Sequence, residues 1–238
     1  MWSNARSEAA LEAALPVPIE IRPIRSARRL RLRFDESSGT LKLTCPARTS
    51  RRSALAWALD QGEWIDAQLA RRLAPEPFES GASIPIEGRE TRIVWSEKEA
   101  RTPCLVGVEL RCGGAQAGLS RRVESFLKAH ALKVMSDEVA EFSALAGIES
   151  GAVSVGDAGT RWGSCSSTGR IRLSWRLILA PPQARRYVVA HEVAHLRHLN
   201  HGPKFKALEA ELFGPGLSEA RAILRRIGPR LRRIGRRV

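Results

Sequence analysis

The hydrophobic pattern of this chain changes period several times, and each change predicts an element. Between Ile19 and Pro46 apolar and polar residues alternate, with Ile21, Ile24, Leu30, Leu32 and Phe34 followed by Leu41 and Leu43. That spacing suits strands, and the Asp35-to-Gly39 stretch carries turn chemistry, so a β-hairpin or meander is expected. From Ser50 to Leu73 the period lengthens. Leu55, Leu59, Trp64, Ile65 and Leu69 then line one helix, opened by a Thr49/Ser50 cap and ended by Pro75 and Pro77. Gly81 to Leu110 returns to short strands with turns at Gly88 and Gly107. Leu119 to Ala146 is a long amphipathic helix closed by Gly147, with Val123, Phe126, Leu127, Val134, Met135, Val139, Phe142 and Leu145 recurring at helical spacing. Val153 to Val155, Thr160 to Cys165 and Arg170 to Leu179 read as strands. A helix over Gln183 to Leu199 follows Pro181-Pro182, and Lys204 to Phe213 and Ser218 to Ile227 give two closing helices.

This order describes an α+β chain. A long helix, a small mixed sheet, a motif-bearing helix and closing helices span 119–227, preceded by a β-rich N-terminal subdomain with one helix over 17–112. Residues 1–16 are expected to be a flexible arm, the Gly/Ala-rich stretch from Cys112 to Gly118 the boundary, and 228–238 a basic tail. The 238 residues, 43% of them hydrophobic, suffice for one large core or two small ones. No apolar run approaches the ~20 residues of a membrane span. Glu8 and Glu12 interrupt any signal-peptide pattern, so a cytoplasmic location is expected. Cys45, Cys104, Cys112 and Cys165 are widely spaced, which argues against a zinc knuckle or a disulfide framework.

The chemistry sits in His191-Glu192-Val193-Ala194-His195. Residues four apart share a helix face, so His191 and His195 can aim two imidazoles at one metal ion. Glu192 lies beside them and can take a proton from water activated by that metal. Catalytic zinc commonly has three protein ligands. His198 is on the same face but about 10 Å along the axis from His191, at ~1.5 Å per residue, too far for one ion on a straight helix. His201 follows the stop residue Asn200, so a turn can bring its ring back to the metal. Glu209, Glu211 and Glu219 are the alternatives for the third ligand. Tyr187, one turn before His191, is a candidate to support a ligand or the oxyanion, or else a core residue. Arg161 is a candidate substrate contact, and Asn200 a candidate neighbour of the site.

Charge adds a second theme. The net charge is +14. Six arginines fall between Arg22 and Arg33, and eight between Ala220 and Val238, where no acidic residue occurs. Such runs are either a solvated surface or a footprint for a polyanion, and the Arg-rich tail is the candidate contact for nucleic acid.

Arg161-Trp162-Gly163-Ser164-Cys165, Ile171 to Leu177, Tyr187 to His195 and Asn200-His201-Gly202-Pro203-Lys204-Phe205 together resemble the YgjP-like metallopeptidase family, which is related to the SprT-like zinc proteases and the wider zincin class. The resemblance is strong over about 155–210 and weaker over about 20–110. It implies a zincin-like fold for the catalytic domain and one zinc ion per chain. His191, His195 and His201 would be the ligands, Glu192 the catalytic residue, and a peptide or protein the substrate. Ser174 stands where the family often has Asn, and the stretch after His201 leans toward the SprT-like form; both bear on substrate preference. Besides a zinc peptidase, two other readings remain open: a zinc hydrolase of a small non-peptide substrate, and a nucleic-acid-associated zinc module, including a DNA-stimulated protease.

Overall fold

A computed structural model of the chain describes residues 2–35, 38–72, 75–157 and 161–236. Two compact units result, Met1–Leu69 and Ala70–Val238.

The N-terminal unit contains α1 (Trp2–Ala13), β1 (Ile19–Ile24), β2 (Arg31–Asp35), β3 (Thr40–Pro46) and α2 (Arg51–Asp60), and the chain continues into α3 (Gly62–Arg72). The sheet order is β1-β3-β2. Leu41, Leu43 and Cys45 on alternate positions of β3 are all fully buried, which makes β3 the central strand. The expected hairpin is β2–β3, but β1 joins β3 in parallel, so the stretch is not a meander. Glu36 and Ser37 of the expected turn lie outside the described residues. Leu15, Ile19, Ala54, Leu55, Ala58 and Ile65 complete this core. Ser50 caps α2 as expected, its Oγ accepting from the Ser53 amide at 3.1 Å. The single helix expected over 50–73 is broken at Gln61, whose amide closes on Ala58. The expected flexible arm is helical as α1, because its Ser-Glu-Ala-Ala-Leu-Glu-Ala-Ala-Leu run favours helix and Leu11 and Leu15 reach the core.

The C-terminal unit opens with β4 (Ser83–Ile86), β5 (Arg89–Trp95), β6 (Cys104–Val106) and β7 (Glu109–Cys112), in the order β4-β5-β7-β6. Then come α4 (Leu119–Ala146), β8 (Val153–Gly156), β9 (Gly163–Cys165), β10 (Ile171–Ser174), α5 (Pro182–His195), α6 (Pro203–Phe213) and α7 (Leu217–Leu231). The second sheet has the order β8-β10-β9, leaving β9 at an edge. Gly147 ends α4 in the left-handed conformation, φ 61° and ψ 39°. Trp175–Leu179 is a buried 3₁₀ turn where a strand was expected, since a continuous apolar run carries no period to tell the two apart.

The division of the chain falls at 69/70 and not at 112–118. Ile84, Ile86, Ile93, Leu110 and Cys112 belong to one core with α4 and α5, so β4–β7 fold with the helices that follow them. The β4–β5 turn also braces α5. A Cβ on Gly88 would stand 2.9 Å from Cα of Pro181, so only glycine permits this approach. Beside it, buried Arg185 of α5 pairs with Glu138 of α4 at 2.9 Å and with Glu87 at 3.4 Å.

The expected basic tail is not a tail. α7 continues through Pro229, and Leu231 and Ile234 are buried. Ile234 bridges to Glu76, and Arg232 is buried with its guanidinium 4.1 Å from the centre of the Trp162 ring. Arg176, held by Asp157 at 2.9 and 3.2 Å, donates to the carbonyls of Leu231 and Ile234. Arg237 and Val238 lie outside the described residues. No helix among the described residues is long and apolar enough to cross a membrane.

Candidate metal centre

Helix α5 starts with a proline inside its first turn, where the missing N–H costs nothing. The four-residue spacing stacks His191 and His195 with ring centres 4.9 Å apart. The helix ends at His195 and not at Leu199. There the chain turns, and the His195 Nδ1–H donates to the His198 carbonyl at 3.0 Å. The Asn200 carbonyl accepts from the Gly202 amide at 2.7 Å, and this tight turn returns His201 toward α5. His201 Nε2 stands 3.1 Å from His195 Nε2 and 3.2 Å from His191 Nε2. Phe205, buried at the start of α6, lies against all three rings with centres 4.5–5.0 Å away.

The outer ring nitrogens fix the inner ones. His191 Nδ1 faces Glu209 Oε1 at 2.7 Å, and His195 Nδ1 faces a carbonyl. Both partners only accept, so both Nδ1 atoms carry the proton and both Nε2 lone pairs point inward. Both distances run to His201 Nε2; with the His201 proton on Nδ1, three lone pairs converge at 3.1–3.2 Å, an arrangement that a cation between them relieves. Tetrahedral zinc with bonds of ~2.0–2.1 Å holds its nitrogens about 3.3 Å apart, so the donor set fits that ion. Among the described residues these three histidines form the one group able to hold a metal.

Glu209 lies outside this group and accepts from His191 Nδ1, so it orients that ring. Its second oxygen accepts from Arg221 at 3.3 Å, and Arg221 Nε donates to the Tyr187 hydroxyl at 3.0 Å. Burial alone raises the Glu209 carboxyl, but the His191 hydrogen bond and the electrostatic pull of His191 and Arg221 outweigh it and hold it below the usual range. Burial, with the neighbouring His191 and His201, likewise lowers His195 despite the His198 carbonyl. Tyr187 meets Glu209 only by way of Arg221 and lies edge-on to His191 at 6.1 Å. Glu211 and Glu219 are exposed and outside the histidine group.

Glu192 is buried on the side of α5 that meets β9. A Cβ at Gly163 would come within 2.7 Å of Glu192 Cγ and 2.8 Å of its Cδ, so the absence of a side chain there makes room for the carboxylate. Burial and Glu192 push the Cys165 thiol up, which keeps it protonated. Trp162 and Trp175 are core residues. Arg161 is exposed beside a cleft lined by Trp162, Gly163, Ser164 and Arg172. Asn200 takes part through its main chain.

Sequence reasoning missed Glu209 as the partner of His191 and missed Arg221, and it gave Phe205 and Gly163 no role beyond their place in the motifs. One signal was available: Phe205 and Glu209, four apart, share the face of α6 that meets the histidines.

Residues 28–227 match the family model described as YgjP-like, metallopeptidase domain. Neither the curated proteins nor the solved structures include a significant match. With 28–227 of its 238 residues covered, and the histidine group inside the match, the chain belongs to the YgjP-like metallopeptidase family.

Proposed function

We propose that the chain is a zinc-dependent peptidase with a zincin-like catalytic domain, in which His191, His195 and His201 hold one zinc ion and Glu192 is the general base. The observation that carries this reading is the convergence of three imidazole Nε2 atoms at 3.1–3.2 Å with the outer nitrogens of two of them tied to acceptors. Zinc bound there supplies Lewis acidity, which acidifies water and polarises a scissile carbonyl. Glu192 takes the proton of the attacking water as its oxygen bonds to the carbonyl carbon, and gives that proton to the departing amine as the C–N bond breaks. The space that a side chain at Gly163 would take is filled by the Glu192 carboxylate, which stays there for both transfers. Glu209, anchored by Arg221, holds the His191 ring in its ligating tautomer.

A peptide is favoured over a small substrate because β9 is an edge strand packed beside Glu192. The outer edge of such a strand can take an extended peptide as a further strand. The test is hydrolysis of unfolded casein by zinc-loaded protein, with zinc content measured in the same samples. Glu192→Gln should keep the metal and lose at least about 100-fold in rate, the usual contribution of a general base. Undiminished hydrolysis by Glu192→Gln would remove the base from this mechanism. A chelator should abolish cleavage, and zinc should restore it.

A further inference from the structure

The β1-β3-β2 sheet has one apolar and one basic face, and the register defines both. Leu32 pairs with Leu43 and Phe34 with Leu41 on the core side. On the other side, Arg22, Thr44 and Arg31 form one row across the three strands, and Glu20, Lys42 and Arg33 form the next. Arg22, Arg31 and Arg33 are exposed. Two acids partly offset these cations: Glu20 lies 3.4 Å from Arg22, and Asp35 pairs with Lys42. The connection from β1 to β2 adds Arg25, Arg28 and Arg29, all exposed. Among the described residues, Arg25, Arg28, Arg29, Arg31 and Arg33 make no ion pair or side-chain hydrogen bond.

A strand holds its charges at fixed spacing. Arg31 and Arg33 stand about 6.6 Å apart at ~3.3 Å per residue, and Arg22 about 10 Å across the sheet from Arg31. A semi-rigid array of guanidinium groups suits a repeating anion, and guanidinium forks match phosphate oxygens. The face carries no aromatic side chain on which a base would stack, as single-strand binders use. Its one exposed large apolar residue is Ile24, 42% accessible, too little for the apolar insertion of a membrane-surface element.

We propose that the solvent face of the β1-β3-β2 sheet, with the Arg25–Arg29 connection, binds the phosphate backbone of duplex nucleic acid without reading its sequence. The site lies in the N-terminal unit and is separate from the histidine centre in sequence and chemistry. Nucleic acid would thus bind through the N-terminal arginines, while Arg221, Arg230, Arg232 and Arg233 near the C-terminus serve the fold.

The experiment uses the full chain and a fluorescein-labelled mixed-sequence DNA duplex, with anisotropy read over a salt series. Wild type should bind, and binding should weaken steeply with salt. Arg22→Gln/Arg31→Gln/Arg33→Gln should weaken it at least tenfold and flatten the log–log salt slope by about 2.7, or ~0.9 per lost phosphate contact. Arg25→Gln/Arg28→Gln/Arg29→Gln should do the same without touching a strand, which covers the case where the first variant fails to fold. The charge-matched control Arg89→Gln/Arg121→Gln/Arg226→Gln, three exposed residues of the other unit, should leave affinity within about twofold, the small effect of removing distant charge in salt. Absence of duplex binding by wild type overturns the proposal. So does an equal loss in the control, which would reduce the effect to bulk charge. Preferential binding to vesicles of phosphatidylserine and phosphatidylcholine overturns it in favour of a membrane surface.

Discussion

Residues 22–33 and 221–236 are both rich in arginine, yet the two stretches do opposite things. In the first, all six arginines are exposed, and one, Arg22, has an ion pair. In the second, Arg232 is buried under Trp162, Arg230 pairs with Glu76 and Glu90, Arg233 pairs with Glu76, and Arg221 holds Glu209 beside a histidine of the metal centre. Composition does not separate them. The difference lies in what alternates with the charge. Arginine at every second position of a strand projects from one face, while arginine between Ile223, Leu224, Leu231 and Ile234 follows a helical face into the core. The acids that balance the second stretch come from far away, with 154 residues separating Glu76 from Arg230. Net charge therefore reports supply, and only the fold reports use.

The largest effect should come from removing the end of the second stretch. A chain ending at Ile227 loses the burial of Leu231 and Ile234, each worth about 1.5–3 kcal/mol, and leaves Arg176 without its carbonyl partners. We expect a loss of about 4 kcal/mol or more, read as a collapse of the urea midpoint or failure to express as folded protein. An unchanged midpoint would restore a free tail and erase the contrast.

Next comes the link between this stretch and the metal. Glu209→Ala removes the acceptor that orients His191 and should weaken zinc binding about 10–100-fold, measured by chelator competition. Arg221→Ala should have a smaller effect in the same direction. Arg33→Ala should leave zinc affinity unchanged.

Asp157 sharpens the comparison through pH. Burial alone raises its carboxyl, but the hydrogen bond and charge of Arg176, with Arg236 and Lys128, bring it below the usual value. A carboxyl lowered by folding contributes stability that is fully present above its unfolded pKa, near ~3.9. That stability is lost as pH falls through the lower folded value. Asp157→Asn should cost about 1–2 kcal/mol near neutral pH, the low end of the scale for hydrogen bonds to a charged group, because solvent screens the partly exposed Asp157. Its stability should then fall less steeply than wild type between about pH 5 and about pH 2. Urea midpoints across that range test both points.

How far the sequence revealed this molecule follows the range of each interaction. The bounds Leu119–Ala146 and the Gly147 cap were legible because a long helix repeats its signal over many turns. His191 and His195 were legible because their spacing is local, and His201 because Asn200 and Gly202 announce a turn. The parallel pairing of β1 was hidden, since alternation fixes a strand's faces and not its neighbour. The helical Trp175–Leu179 turn was hidden because full burial removes periodicity. The grouping of β4–β7 with α4 and the Glu209–Arg221–Tyr187 chain rest on contacts between distant residues, which no single-sequence pattern encodes.

The smallest effect is expected where the arginines have no partners. Arg28→Gln/Arg29→Gln removes two exposed charges and no hydrogen bond, so stability should move by no more than about 0.5 kcal/mol. The sign is informative. Six neighbouring cations with one ion pair repel one another, so the variant should match wild type or slightly exceed it at low salt. Raising the salt screens that repulsion and should bring the two together, with wild type gaining more. Thermal melts at low and high salt measure both effects. A loss of about 2 kcal/mol or more is the scale of breaking hydrogen bonds to a charged group. It would mean that these guanidinium groups are bound into the fold, as those near the C-terminus are, and that neither stretch is held in reserve for a partner.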